Sequence, residues 1–427
     1  MNAKAMFDII KAGDLDARFA LLYGRPSVPS ARGRFERALL GFARLYGAER
    51  EVALFSVPGR SELSGNHTDH NRGCVIAASI DLDIIAVVAP RDDGVIHLSS
   101  EGYPESVVDL SEFTEPRPER FGSSDALIAG VCAGMREQGL AVGGFDAYTA
   151  SDILGGSGLS SSAAFEVMIG NIENHLYNNG RIDNTVLAKI AQYAENRFFG
   201  KPCGLMDQMA CALGGIISID FADPAAPLVE QINRDLSTAG FALCIVNTGG
   251  NHADLTPDYA AVPAEMKALA AAMGKEVLRE VDEAEFRASI ATLRESVGDR
   301  AILRALHFFA ENDRVRGQKQ ALLKGDLAAF LSLVQASGRS SFCYLQNVYS
   351  PANPGEQGIS LALALAEDFL APRGGVCRVH GGGFAGTIQA LVPHAHVDAF
   401  CDLMDATFGA GACMSLSIRP EGAVRID

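Results

Sequence analysis

The sequence lacks any hydrophobic run long enough and continuous enough to span a bilayer. Residues 1–16 carry acidic side chains among the apolar ones and do not have the layout of a signal peptide, so we expect no membrane partner. None of the nine cysteines belongs to a C-x-x-C pair, and their odd number and wide spacing indicate reduced thiols and a cytoplasmic location. Repeats and low-complexity tracts are also absent, which favours a globular protein.

Basic residues are outnumbered by acidic ones. The 36 Lys and Arg residues against 52 Asp and Glu residues give a net charge of −16. This balance argues against nucleic acid or an anionic membrane as a partner. The chain of 427 residues, 48% of them hydrophobic, has enough material for about two domains with buried cores. We expect a monomer or a weak oligomer that binds small molecules.

Two common phosphate-binding motifs are missing. The chain has no G-x-x-x-x-G-K-[ST], so it is not a P-loop protein. A dinucleotide-binding loop would have a third glycine where Ser161 stands, and an acidic residue at the end of the next strand. A predicted helix follows here instead, so the dinucleotide interpretation is weak.

A different glycine-rich stretch lies between a predicted strand at 145–150 and a predicted helix. It consists of Gly155, Gly156, Ser157, Gly158, Leu159, Ser160, Ser161 and Ser162. Backbone N–H groups of such a loop, together with the partial positive charge of a helix N-terminus, form an anion site, and serine hydroxyls can bond phosphate oxygens or magnesium. The alternative is a flexible loop followed by a serine cap.

A second dense stretch, residues 58–73, follows a predicted strand at 51–57 and is interpreted as a polar loop. His67 and Asp69 are suited to a polyhydroxylated ligand, and Arg60 to a phosphate or carboxylate. The alternative is an ordinary solvated turn. A zinc site is a poor interpretation because further ligands at metal spacing are missing.

A third stretch, residues 195–211, places Asp207 early in a predicted helix among apolar neighbours. A carboxylate in that setting needs a partner or a function, so Asp207 is a candidate general base and Glu195 a candidate metal ligand. The alternative is that Asp207 caps its helix and Glu195 lies on the surface.

The C-terminal part contains a glycine-rich loop, Gly381–Gly386, between predicted strands at 375–380 and 387–392. It is either a simple turn or a second loop beside the phosphates. Residues 223–227 form the best candidate boundary, which predicts an N-terminal lobe of residues 1–224 and a C-terminal lobe of residues 225–427.

Together these stretches resemble the signatures of the galactokinase branch of the GHMP small-molecule kinases. Residues 58–60 and 65–71 are similar to the galactokinase sugar signature, and residues 156–163 to the ATP motif of the superfamily. Residues 381–386 are similar to its third motif, while Glu195 and residues 202–208 resemble galactokinases specifically. The resemblance runs in order from about residue 52 to residue 418.

The resemblance implies a mixed α+β fold of two lobes with the active site between them, and a kinase that uses ATP and Mg²⁺ to phosphorylate the anomeric hydroxyl of galactose. Asp207 would take the proton from that hydroxyl, and Arg60 would hold Asp207 ionised and stabilise charge. The loop from Gly155 to Ser162 would hold the ATP phosphates, with Ser162 and Glu195 on Mg²⁺. The implied sugar-binding residues are Asn66, His67, Asp69, Gly204 and Tyr259.

Four positions depart from the family pattern. Asn66 replaces a glutamate that meets the sugar's 6-hydroxyl, His70 replaces a tyrosine, Glu62 stands in place of asparagine, and His380 in place of a small hydroxyl residue. Three hypotheses therefore stay open: a galactokinase, a kinase for a related sugar such as galacturonate, and a sensor that binds sugar and ATP without turnover. Because Asn66 stands where the family has a glutamate, we predict from the sequence alone that Asn66→Glu would improve the use of galactose.

Overall fold

The computed structural model describes residues 1–112, 114–153, 158–201, 203–234, 236–250 and 255–427. Runs of helices and runs of strands follow one another along the chain in a mixed α+β arrangement, as predicted. Across the described ranges, no helix combines the length and the apolar character that a membrane crossing requires.

The α-helices of the described residues are α1 (Ala3–Ala12), α2 (Asp16–Tyr23), α3 (Val28–Tyr46), α4 (Ser124–Glu137), α5 (Ser161–Tyr177), α6 (Asn184–Ala194), α7 (Met206–Leu213), α8 (Thr256–Ala272), α9 (Glu283–Val297), α10 (Asp299–Lys324), α11 (Leu327–Ser340), α12 (Gly358–Leu370) and α13 (Val397–Phe408). Two π-helical turns extend helices α6 and α11, over Glu195–Phe199 and Ser341–Leu345.

The strands of the described residues are β1 (Ala53–Ser64), β2 (Cys74–Arg91), β3 (Val95–Ser100), β4 (Ser106–Asp109), β5 (Gly144–Ser151), β6 (Ile216–Asp220), β7 (Leu228–Ile232), β8 (Phe241–Asn247), β9 (Val376–Val379), β10 (Thr387–Pro393), β11 (Cys413–Leu416) and β12 (Val424–Arg425).

These strands form two sheets. The larger has the order β12-β1-β2-β5-β3-β4, with β6 pairing with both β2 and β7, and the smaller has the order β11-β8-β10-β9. Strand β7 lies beyond residue 224 and β12 near the C-terminus, yet both pair within the larger sheet. The division of the chain at residue 224 stays a prediction.

Both faces of the β1–β2 ladder are covered by apolar side chains. Phe55 and Val57 pack into the core shared with helices α4–α7, while Leu54 faces a separate cluster that contains Phe35 and Phe42 of α3. The smaller sheet packs against α12 and α13, and helices α8–α10 enclose a further cluster. The two sheets thereby form two layered units, and the polar stretches meet where these units face each other.

Strand β1 corrects the prediction of a polar loop at 58–73. It continues to Ser64, and all of its residues are buried, so Arg60 and Glu62 lie on a strand. The polar residues are tolerated because each charged side chain has an oppositely charged partner, Asp207 for Arg60 and Arg378 for Glu62.

The sequence Asp92-Asp93-Gly94 is a typical hairpin turn, but the two strands that it joins, β2 and β3, do not pair with each other. Strand β5 occupies the edge of β2 and pairs with it antiparallel, and β3 then pairs parallel with β5. The turn reverses the chain, but β2 and β3 are not neighbours.

Candidate active site

The pair of Arg60 and Asp207 lies at the centre of the site. Strand β1 carries Arg60, and the first turn of α7 carries Asp207. The guanidinium donates two parallel hydrogen bonds, Nε to Oδ1 and Nη2 to Oδ2, each 2.7 Å long. This bidentate geometry is the strong form of an arginine–carboxylate contact.

The same contacts keep Asp207 ionised. Burial raises the pKa of Asp207, but the charge and hydrogen bonds of Arg60 and a hydrogen bond from Ser160 Oγ outweigh it, so that the pKa lies below its usual range. The carboxylate is therefore charged at neutral pH, in the form that accepts a proton.

The described part of the glycine-rich loop reaches Arg60 directly. Arg60 Nη1 donates to Gly158 O, and the backbone N–H of Arg60 donates to Leu159 O at 3.2 Å. Gly158 and Ser160 have φ angles of 72° and 62°, in the left-handed region, which turns the chain back onto β1 before α5 begins. The predicted ATP-loop residues Gly155, Gly156 and Ser157 lie outside the described residues.

Glu195 and Ser162 come together as predicted for a shared ligand. Ser162 Oγ, on the first turn of α5, donates to Glu195 Oε1 at 3.2 Å. Lys201 Nζ lies 2.9 Å from the same oxygen, and Gln208 Nε2 donates to Glu195 Oε2 at 2.8 Å. Gln208 Oε1 is buried without a hydrogen-bond partner within the described chain. Carboxylate, hydroxyl and amide oxygens are suitable ligands for Mg²⁺, so these residues fit that ion.

A small cavity of about 130 Å³ lies beside the Arg60–Asp207 pair. It is lined by Arg60, Glu62, Asn66, His67, Asp69, His70, Met206, Gly381 and Gly382. Three of the predicted sugar-binding residues, Asn66, His67 and Asp69, are thus brought together with Arg60 and with the first two residues of the C-terminal glycine-rich loop.

His67 is held in a neutral state. Its Nε2 donates to Gly382 O at 2.8 Å, and burial lowers its pKa to about 4. The backbone of His67 has a φ of 58°, which directs the side chain towards the C-terminal loop.

Gly204 and Tyr259 contact the walls of this cavity but do not line it. A Cβ atom at position 204 would lie 2.5 Å from Asp69 Oδ2, so a larger residue there would require the Asp69 carboxylate to shift. Tyr259 Oη donates to Gly383 O at 2.8 Å, and its ring packs edge-to-face on Phe384. Gly204 therefore leaves room for the Asp69 carboxylate, and Tyr259 holds the C-terminal glycine-rich loop through its hydrogen bond.

The side chain of Asn66 is surrounded by hydrogen-bond partners. Its Nδ2 donates to Gly381 O at 2.6 Å and to Glu62 Oε1 at 3.2 Å. Its Oδ1 accepts hydrogen bonds from Asn347 Nδ2 at 2.7 Å and Ser341 Oγ at 3.3 Å. Three of the four partners, Glu62, Ser341 and Asn347, are buried, and Gly381 is partly buried. Together the four contacts fix the orientation of the amide.

Glu62 in turn pairs with Arg378 of β9. The Nη2–Oε1 distance is 3.1 Å, and Arg378 Nη1 also donates to Leu63 O at 3.0 Å. Burial raises the pKa of Glu62, while Arg378 and Arg60 oppose the shift. Sequence reasoning noted Glu62 only as a departure and missed Arg378. A charged residue in the middle of the apolar pattern of β9 is the signal that could have found it.

His380, the other departure on this side, is buried behind Arg60. It lies between Ser61 Oγ at 3.1 Å and Thr387 Oγ1 at 2.9 Å. Burial and the nearby charge of Arg60 lower its pKa to about 3. His380 is thus a neutral bridge between β1 and β10, and not a proton carrier at neutral pH.

A larger cavity of about 440 Å³ opens on the other side of the α5 N-terminus, beside Ser161 and Ser162. Aromatic side chains contribute to its walls, among them Tyr103, Phe165 and Phe199. Sequence reasoning missed this cavity because its lining comes from segments that are distant along the chain.

Two family models match the part of the chain that carries these residues, and both point to a class of small-molecule kinases. The family model "GHMP kinases N terminal domain" matches residues 126–215, which include the glycine-rich loop, Glu195 and Asp207. The model "Galactokinase galactose-binding signature" matches residues 41–90, which include β1 and the polar residues after it.

Individual relatives extend the match to most of the chain. A galactokinase of Streptomyces coelicolor is 34% identical over 86% of this chain and 92% of its own length. The human galactokinase is 31% identical over 93% of this chain and 97% of its own. The solved structure of Lactococcus lactis galactokinase in complex with galactose superposes with a TM-score of 0.76 at 26% identity, covering 90% of this chain and 98% of that one.

The chain belongs to the galactokinase family of the GHMP kinases. This result confirms the predicted resemblance, the α+β GHMP-kinase fold and the expectation of a sugar kinase enzyme.

Proposed function

We propose that this protein phosphorylates the anomeric hydroxyl of galactose with ATP, giving α-galactose 1-phosphate and ADP. The observation that carries the proposal is the ion pair between Arg60 and Asp207, with Ser160 of the glycine-rich loop on the same carboxylate. The names of the relatives, and the galactose bound to the Lactococcus lactis enzyme, support galactose as the sugar.

In the proposed reaction, ionised Asp207 accepts the proton of the anomeric hydroxyl as its oxygen attacks the terminal phosphorus of ATP. The bond from that phosphorus to the bridging oxygen breaks, and the electron pair leaves with ADP. Arg60 holds the carboxylate in place and stabilises negative charge on the transferred group. Phosphoryl transfer depends mainly on such positioning and charge stabilisation.

We assign the nucleotide phosphates to the loop Gly155–Ser162 and a Mg²⁺ ion to Ser162 and Glu195. The ion supplies charge neutralisation at the phosphate oxygens. Ser162 and Glu195 are already in contact, and Gln208 Oε1, which has no hydrogen-bond partner among the described residues, is an additional oxygen beside them. We place the adenine in the 440 Å³ cavity next to Ser161, because apolar and aromatic walls suit a planar base.

We assign the sugar to the cavity lined by Asn66, His67 and Asp69, with Gly204 and Tyr259 supporting its walls. A carboxylate, a neutral imidazole and an amide can together donate to and accept from sugar hydroxyls. Glu62 favours galactose over galacturonate as the substrate. Asn66 is an amide where the family has a glutamate, but Glu62 still provides a carboxylate on the wall of the same cavity. A substrate 6-carboxylate near Glu62 would meet a like charge.

The proposed compartment is the cytoplasm. All nine cysteines have free thiols in the structure, which is consistent with a reducing environment.

The test is an ATP-consumption assay with a panel of sugars that includes galactose, galacturonate, glucose and N-acetylgalactosamine, with the product identified by phosphorus and proton NMR. We expect galactose to have the highest kcat/KM and the phosphate to be on the α-anomeric oxygen. A higher kcat/KM for galacturonate would replace the proposed substrate. Saturable galactose binding without turnover would assign the protein to the sensors.

A further inference from the structure

A cluster of three cysteines lies away from the active site, in the smaller sheet. Cys244 of β8, Cys413 at the start of β11 and Cys401 of α13 have sulfur atoms that all lie within 4.8 Å of one another. Strands β8 and β11 pair antiparallel, and α13 packs across them. The sequence gives no local sign of this cluster because its members are separated by 12 residues or more.

The Sγ atoms of Cys401 and Cys413 are in contact, 2.6 Å apart. Both side chains are partly exposed, whereas Cys244 is buried beneath them. An oxidant can thus reach the outer pair, with the third thiol in contact on the inner side.

We propose that Cys401 and Cys413 are a site of reversible oxidation, at which a low-molecular-weight disulfide converts the two thiols into a Cys401–Cys413 disulfide. One protein thiolate attacks a sulfur of the small disulfide and releases one small thiol. The second protein thiolate then attacks the mixed disulfide and releases the other, so two protein thiols are oxidised and one small disulfide is reduced to two thiols.

The electrostatics of the cluster favour Cys401 as the attacking group. The neighbouring thiols of Cys244 and Cys413 lower the pKa of Cys401, which favours its thiolate. Cys401 is partly exposed on α13, so it is both accessible and activated. Cys413 is then positioned to resolve the mixed disulfide.

A structural metal is the competing use of three thiols, and two observations disfavour it. Thiolate sulfurs bind zinc at about 2.3 Å in a tetrahedral arrangement, so two of them on one ion lie well apart from each other. The Sγ atoms of Cys401 and Cys413 are instead close together. A fourth ligand is also missing among the described residues. The nearby Asp405 uses its two carboxylate oxygens to accept the backbone N–H groups of Gly411 and Cys413.

The test uses the full-length protein, first reduced, then incubated with oxidised glutathione, denatured and alkylated before peptide mapping. We expect two of the nine thiols to escape alkylation, a peptide cross-link between Cys401 and Cys413, and its disappearance after dithiothreitol. Absence of this cross-link in the wild-type protein, or a link from Cys244 to either partner in its place, would overturn the proposal.

Matched variants sharpen the result. Cys401→Ser and Cys413→Ser should each abolish the cross-link, whereas Cys343→Ser, at an exposed thiol elsewhere, should leave it unchanged. A parallel titration of the reduced wild-type protein with Zn²⁺ and Cd²⁺ covers the alternative. A bound metal ion that protects all three thiols from alkylation would also overturn the proposal.

Discussion

The two ends of the sugar cavity use buried charge in different ways. At one end Asp207 pairs with Arg60, yet 32% of the Asp207 side chain remains exposed. At the other end Glu62 pairs with Arg378, and the two side chains are 6% and 0% exposed. The first carboxylate can reach a substrate, whereas the second is largely enclosed by the protein.

We infer from this difference that the Arg60–Asp207 end carries out the reaction, and that the Glu62–Arg378 end contributes to recognition of the sugar. The Arg60–Asp207 end holds an ionised carboxylate, which is the form that can accept a proton. At the other end, the amide of Asn66 is satisfied by protein groups on both its nitrogen and its oxygen. We therefore expect changes at the first end to act on turnover, and changes at the second to act on stability and on sugar choice.

The largest expected effect is that of Asp207→Asn. The amide keeps the shape of the carboxylate but cannot accept the proton, so kcat should fall by about a hundredfold to ten-thousandfold. Galactose affinity, measured by calorimetry, should stay close to that of the wild type. The exposed Asp313→Asn is the matched control and should be fully active. Near-normal turnover in a folded Asp207→Asn protein would show that Asp207 is not the proton acceptor.

The next effect concerns stability. Arg378→Met removes the main cationic partner of buried Glu62, so the free energy of unfolding should fall by about 3–5 kcal/mol. Adding Glu62→Gln should recover much of this loss, because the buried charge is then gone as well. Urea unfolding measures both.

Arg316→Met is the control for Arg378→Met, since Arg316 pairs with Asp313 on the surface and such pairs contribute about 0–1 kcal/mol. If Arg378→Met were no more destabilising than this control, the sugar end would not depend on its buried ion pair.

A third prediction concerns the metal. Ser162→Ala and Glu195→Gln should each raise the Mg²⁺ concentration needed for half-maximal rate, because each weakens an oxygen ligand. We expect roughly the 10–100-fold loss of metal affinity seen when groups around a metal are altered. The measurement is the initial rate against free Mg²⁺ at saturating ATP. Glu283→Gln on the surface is the control, and an unchanged Mg²⁺ dependence in both site variants would contradict the assignment.

The smallest expected effect is that of Asn66→Glu, for which the direction of the change in kcat/KM is the informative result. Asn66→Glu should lower kcat/KM for galactose. In the wild type, Asn66 Nδ2 donates hydrogen bonds to both Glu62 Oε1 and Gly381 O, and a carboxylate at position 66 has no hydrogen to donate to either. An unsatisfied buried acceptor costs about 1–3 kcal/mol. The contacts of Asn66 in the structure therefore predict a loss for Asn66→Glu, whereas the sequence alone predicted an improvement.

The reciprocal exchange Glu62→Asn with Asn66→Glu is the companion to Asn66→Glu. It restores one carboxylate and one amide, so the two changes should couple by about 0.5–3 kcal/mol in the double-mutant cycle. Additive losses would show that the two positions do not act as a pair.

Local sequence was sufficient to predict most of the catalytic end. A glycine-rich stretch before a helix and an aspartate in the first turn of another helix are features of neighbouring residues. In the described part of the chain, α5 begins at Ser161 and Asp207 lies in the first turn of α7. The family could be recognised for the same reason, since each motif is continuous along the chain. The roles of these residues remain predictions that the experiments above test.

Only the tertiary structure decided which distant residues meet. Arg378 is 316 positions away from Glu62, and Asn347 is 281 positions away from Asn66, yet both pairs are in contact. The same is true of the insertion of β5 between β2 and β3, and of the cluster of Cys244, Cys401 and Cys413. Hydrophobic periodicity reports which face of an element is buried, but it carries no information on which other element covers that face. That choice depends on packing the whole chain, and it determined the polar contacts at the sugar end.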